Sequence, residues 1–381
     1  MEKQEKIDIL KHIIQIKSVN DNETEVADYI ASLFEKYPNA KVEKVNYAPN
    51  RDNLAVTIGN PKGQRLGFSG HMDVVDPGDL SKWTHDPFGG EVADGKIFGR
   101  GASDMKTGLT AQVIAMLEFL EDGVELPGEI RLLATVGEET GEYGAATLTD
   151  EGYADNLAGL VISEPSGLDQ ITYTARGVID YRIESTGKAA HSARPQNGIN
   201  AIDNLMVYYN EIQKVMAPFD KVNPILGGVL HNVDLIEGGE QINSIPAKAW
   251  LMANMRTIPE YPNQVFYDAI EKLVAELNES PGFDLKLSYS FPEEAIPGQP
   301  DAPLVKLAQK VSKETFGKEA QPVGSGGAND GAEFLRAKGD FTSIVYGPGS
   351  ETSHMPDEYV ELADFLKSID FYKKLALEFL A

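Results

Sequence analysis

Apolar positions recur at helical spacing near the start of the chain, where Ile7, Leu10, Ile13 and Ile14 fall on one face of MEKQEKIDILKHIIQIKSVN. The pattern predicts helices over about 4–17 and 23–37. It then switches to the short apolar runs LAVTI (54–58) and RLGFSG (65–70), an amphipathic helix at about 106–121, and the strands IRLLATV (130–136) and LAGLVIS (157–163). Such alternation predicts an α/β domain with a mostly parallel central sheet. From about residue 174 the rhythm changes. Strand GVIDYRIEST leads to a helix at about 198–216, strands GGVLHNVDLIEG and KAWLMANMRTI, a helix at about 262–279 and strand FDLKLSYSF. That β-α-β-β-α-β order predicts a ferredoxin-like α+β sandwich. After about 293 the first kind of signal resumes, ending in FTSIVYG and a terminal helix. The expected organisation is therefore a two-domain chain, with residues 174–292 inserted into an α/β domain built from 1–173 and 293–381.

A length of 381 residues exceeds one ordinary core, and 42% hydrophobic content is enough to fill two. With 34 basic against 59 acidic residues the formal net charge is -25, which repels nucleic-acid phosphates and anionic membrane surfaces. Small molecules or metal cations are the natural ligands. The absence of cysteine removes disulfides and thiolate metal sites, so metal ligands have to be His, Asp and Glu. The charged N-terminal stretch lacks the unbroken apolar core of a signal peptide, and no apolar run is long enough to span a bilayer, so the expected location is the cytoplasm.

Candidate chemistry gathers where the first domain's strands end. In GFSGHMDVV the period of two points His71 and Asp73 to one face, with Met72 and Val74 on the other. Asp104 in GRGASDMKTG precedes a helix, Glu138 and Glu139 in ATVGEETGEYG follow a strand, Glu164 in ISEPSG follows another, and His354 lies in the loop GPGSETSHMPDEYV. Each has a bland alternative: His71 a hydrogen-bonded surface residue, Asp104 a helix cap, Glu138 and Glu139 a solvated turn. Together they converge on the carboxyl ends of the strands, where open α/β sheets bind ligands. Two His and several carboxylates suit zinc, cobalt or manganese.

The segments GHMDVV, GRGASDMKTG, GEETGEYGA and GPGSETSHMPDEY, in that order, resemble the signatures of the M20 zinc metallopeptidases, and GKAAHSARP and EGGEQINSIPAKAWLMANMRT resemble that family's lid-domain motifs. The resemblance covers essentially the whole chain. It implies a zinc-peptidase catalytic domain with an inserted lid and dimerisation domain, and a two-metal site. His71 and Glu164 would hold one ion, Glu139 and His354 the other, with Asp104 bridging and Asp73 orienting His71. Glu138 would be the general base that moves a proton from water to the leaving nitrogen. The resemblance further implies that His191 reaches the partner subunit's active site in a homodimer, and that Asn243 and Arg256 contact substrate; the Gly-rich stretch GSGGANDG, with Gly326 and Gly327, precedes a helix and offers backbone N–H groups to another substrate carboxylate. His12, His85 and His231 lie outside every motif and are read as structural.

The implied activity is metal-dependent hydrolysis of N-acyl amino acids, of the succinyl-diaminopimelate desuccinylase kind, by two divalent ions per chain. Glu164 favours a deacylase, because many of the family's aminopeptidases and dipeptidases carry Asp there. Ala332 departs from the desuccinylase pattern, which has Arg after DG. A di- or tripeptidase or carboxypeptidase of the same family, and a non-catalytic metal- or amino-acid-binding protein, remain the alternatives.

Overall fold

The computed structural model describes residues 1–381, Phe291 by its backbone alone. The chain groups into two compact units, one of Met1–Thr174, Gly298–Val323 and Asn329–Ala381, the other of Ala175–Pro297 and Gly324–Ala328.

The first unit is built on a mixed sheet of α/β type. Its strand order is Lys41–Ala48, Arg51–Gly59, Glu129–Thr135, Arg65–His71, Gly159–Ile162, Thr342–Val345, Gln170–Ala175, Gln321–Ser325. The four strands from Glu129–Thr135 to Thr342–Val345 are mutually parallel. Arg51–Gly59 joins them antiparallel, with Lys41–Ala48 antiparallel to it in turn, and Gln170–Ala175 is antiparallel on the other side. The central strands are buried on both faces, which explains their continuous apolar runs, whereas Lys41–Ala48 reads KVEKVNYA because it is largely exposed. Helix Lys106–Glu121 is buried around nearly its whole circumference. Its first residue, Lys106, is fully buried and donates from Nζ to the carbonyls of Ile13 (3.0 Å) and Ile16 (2.7 Å), the open end of helix Lys3–Gln15. Gly108 lies so close to the end of strand Gly159–Ile162 that a Cβ there would come within 2.0 Å of the Ser163 carbonyl oxygen.

The second unit is a four-stranded antiparallel sheet in the order Leu230–Gly238, Lys248–Thr257, Gly177–Thr186, Leu285–Glu293, with helices Ala201–Met216 and Gln264–Asn278 in the same apolar cluster. This is the ferredoxin-like order, 2-3-1-4 in chain sequence. Strand Lys248–Thr257 alternates strictly, burying Ala249, Leu251, Ala253, Met255 and Thr257. The helix expected from 198 starts at Ala201, because the Asn200 side chain accepts from the backbone N–H groups of Ile202 and Asp203. Gly324–Ala328, which the sequence pattern puts with the resumed α/β signals, groups here, and the Arg176 N–H donates to the Ser325 carbonyl (3.0 Å). Among the described residues no helix is long and apolar enough to cross a membrane.

Candidate metal centre

Parallel strands deliver their carboxyl ends to one edge, and the acids and histidines gather there within the first unit. His71 ends its strand in register with Thr135. Two residues beyond Thr135, Gly137 takes a left-handed backbone (φ 70°) and turns the chain into the short helix Glu138–Gly141. Glu164 follows strand Gly159–Ile162, and His354 stands in the loop after Thr342–Val345. Asp104 precedes helix Lys106–Glu121 but does not cap it: Met105 is the N-cap residue and no side chain caps that end. Nor are Glu138 and Glu139 a solvated turn, for their side chains are only 16% and 8% exposed.

The geometry centres on Asp104. Its Oδ1 lies 3.2 Å from His71 Nε2 and its Oδ2 3.5 Å from His354 Nε2, so one carboxylate faces both imidazoles. Glu164 Oε1 is 3.4 Å from His71 Nε2, and Glu139 Oε1 is 2.9 Å from His354 Nε2. Glu138 Oε2 is farther away, 4.0 Å from His71 Nε2. Asp73 meets His71 chiefly through its main chain. His71 Nδ1 is 2.9 Å from the Asp73 carbonyl oxygen and 3.6 Å from its Oδ1. The carboxylate instead accepts the backbone N–H groups of Glu138 and Glu139, both at 3.2 Å, and fastens the turn that carries them. With Nδ1 engaged by the carbonyl, Nε2 is the ring nitrogen that faces the acids.

Negative charge is in excess here. Burial works against a charged His71, yet Glu164, Asp104, Asp73 and Glu138 hold its pKa well above the usual histidine value. Burial, together with the neighbouring carboxylates, pushes Glu138 and Glu164 well above the ordinary carboxylate range. Asp104 is lowered: burial opposes its charge, but the hydrogen bond and charge of His71 outweigh burial. The Glu139 contact raises His354. Asp330 is buried and pushed up to about 7 by that burial; Thr135 donates to its Oδ2 at 2.6 Å. A cluster that has to hold protons to be tolerated suits divalent cations. Donor atoms of His71, Asp104 and Glu139 lie within 4.8 Å of one another, as do those of His71, Glu138 and Glu164. All are O or N donors, the set for zinc, cobalt or manganese.

The remaining expected residues belong to the second unit. His191 is exposed on the short strand Ala190–His191, in register with Ser244, and the Ser192 N–H donates to the Asn243 carbonyl (3.0 Å), so His191 and Asn243 are neighbours. Arg256 Nε donates to Asn254 Oδ1 (3.2 Å), and the Gly327 N–H donates to Ser325 Oγ (3.1 Å), while Gly326 has open space around it. His12 packs on Tyr29, His85 on Phe98, and His231 meets the Tyr181 hydroxyl. Sequence reasoning passed over Arg100, Thr135, Asp330 and Glu358. Arg100 and Glu358 lie inside motifs already singled out, and their adjacency to Asp104 and His354 was the available signal.

The family model described as peptidase family M20/M25/M40 matches residues 67–378. A protein of Staphylococcus epidermidis named probable succinyl-diaminopimelate desuccinylase is 36% identical, over 98% of this chain and 97% of its own length. Among solved structures, the aminopeptidase PepT of Bacillus cereus superposes with a TM-score of 0.79 at 19% identity, covering 99% of each chain. A dinuclear metal binding peptidase of the M20 family from Bacillus subtilis gives 0.70 at 15% identity, covering 99% of this chain and 98% of its own. These two likenesses establish a shared fold.

Proposed function

The chain belongs to peptidase family M20/M25/M40, and from that premise we propose that it is a dinuclear-metal amidohydrolase that deacylates N-acyl amino acids, with N-succinyl-diaminopimelate as the specific substrate. The observation that carries the reading is Asp104, whose two oxygens face the two histidines, each backed by its own glutamate. His71 and Glu164 would hold one divalent ion, Glu139 and His354 the other, with zinc as the expected metal. When bound, the ions supply Lewis acidity, polarising the amide carbonyl and acidifying a water.

The chain's own groups do the rest. Glu138 takes the proton of the attacking water on its carboxylate and returns it to the departing nitrogen, and Asp73 holds the Glu138 main chain in place for both transfers. Asp73 also keeps His71 in one tautomer through its carbonyl. Arg256 offers a bidentate clamp for a substrate carboxylate, with Asn243 and the Gly326 and Gly327 N–H groups as further polar contacts. His191 would donate to the carbonyl oxygen in the partner's site of a two-fold homodimer. The edge strand Leu230–Gly238, which exposes Leu230, Leu235 and Ile236, supports pairing with a second copy.

A peptidase reading gains support from Ala332, a buried alanine where the desuccinylase pattern places arginine. Mass-spectrometric assay of N-succinyl, N-acetyl, dipeptide and tripeptide substrates, with and without chelator, tests the proposal. Chelator-sensitive release of succinate or acetate is expected. Cleavage of peptides alone overturns the deacylase assignment, and no hydrolysis of any substrate overturns the enzyme.

A further inference from the structure

Glu358 has no part in the scheme above, yet it is fully buried, and every polar contact it makes leads to the metal centre's neighbours. Its Oε1 accepts the backbone N–H groups of Ser103 (2.8 Å) and Asp104 (2.9 Å). Its Oε2 pairs with the guanidinium of Arg100, itself only 2% exposed, and its carbonyl accepts the Gly99 N–H (2.9 Å). A buried ion pair is a weak source of stability, because desolvation offsets its attraction. Such a pair is better understood as a means of fixing position. Glu358 follows His354 by four residues on the same loop, and before His354 that loop is tied to the same segment again. Ser103 Oγ meets Ser353 Oγ at 2.9 Å and accepts the Ser350 N–H at 2.9 Å. The segment carrying Asp104 and the loop carrying His354 are thus laced together on both sides of the histidine.

We propose that Glu358, held by Arg100, is the positioning residue for the half of the centre made by His354, Glu139 and Asp104. The proposal rests on the dinuclear reading. His71 lies on a paired strand, and Glu164 follows two residues after another. His354 is half-exposed, on a left-handed backbone (φ 64°), and its ring meets Glu139 and Asp104. Metal–imidazole bonds of about 2.0–2.1 Å leave little tolerance, so a small drift of the loop releases the second ion while leaving the first in place.

The test is titration of the chelator-stripped full chain with cobalt(II), followed by calorimetry and visible absorption, with circular dichroism as the check on folding. The wild-type chain is expected to bind in two steps. In Glu358→Gln the second step should weaken by roughly 10–100-fold, the usual effect of losing an outer-shell partner, and the first, which shares only Asp104 with it, by clearly less. Ser103→Ala removes the hydroxyl's contacts to Ser353 and Ser350 without leaving a buried lone charge, and should weaken the second step in the same direction by less. Unchanged constants in a folded Glu358→Gln chain, or equal weakening of both steps, overturn the proposal. Should Glu358→Gln not fold, an unchanged second step in Ser103→Ala overturns it. A wild-type chain that takes up fewer than two ions contradicts the dinuclear reading itself, and the proposal falls with it.

Discussion

His71 and His354 face the same carboxylate from opposite kinds of structure. His71 closes a strand paired on both sides, its side chain 1% exposed and its Nδ1 engaged by the Asp73 carbonyl. His354 stands in a loop, 50% exposed, on a backbone that L-residues seldom adopt. One half of the centre is placed by backbone pairing, and the other by side-chain ties that cross more than 200 residues of sequence. The difference teaches that a site can be precise in both halves while only one is rigid for local reasons.

The largest effect should come from Glu138, the residue proposed as the base. Glu138→Gln is expected to lower kcat by about 10²–10⁴-fold while metal content stays near that of the wild type, since it removes a base and not a ligand. A loss below tenfold, or a loss of metal, breaks that distinction. Next, His354→Ala should cost the chain one bound ion and little thermal stability, whereas His71→Ala should lower both metal content and Tm, because it also empties a buried position. Equal stability losses would erase the contrast between sheet-held and loop-held ligands. Third, Arg256→Ala should raise KM strongly for substrates with a free carboxylate and much less for their amides, as measured by steady-state kinetics. Equal losses on both would make Arg256 structural.

The smallest effect concerns pH in the metal-free chain. His71, His354, Glu138, Glu164 and Asp330 all have raised folded-state pKa values, and only Asp104 among the central acids is lowered. The native state therefore binds more protons than the unfolded chain above the ordinary carboxylate range. Stability should fall as pH rises from about 4, the ordinary carboxylate value, through about 7, to which burial pushes Asp330, and the raised His354 adds to the fall. Because His354 is half-exposed, its share is discounted for solvent screening. Divalent ions should remove most of this slope, and a slope of the same size with metal bound would contradict the origin assigned to it.

What could be read from the sequence follows the same division. The period of two put His71 and Asp73 on one face, and the parallel strand ends predicted where Glu138, Glu139 and Glu164 would gather. The outermost strand Lys41–Ala48 was not legible, because KVEKVNYA carries no apolar alternation strong enough to mark a strand. Asp73 was read through its carboxylate, whereas its carbonyl lies closer to His71, since main-chain contacts leave no trace in residue type. Glu358 escaped for a related reason. Its two N–H partners are about 250 residues away in the chain, and neither spacing nor hydropathy records such a reach.

The central claim is a centre that binds two ions and works only when loaded. The direct measurement is to strip the purified chain with chelator, then add zinc or cobalt in steps while counting bound ions and following amide hydrolysis. No activity is expected in the stripped chain, with uptake of two ions per chain and recovery of hydrolysis as they bind. Full activity in verifiably metal-free protein would contradict the claim.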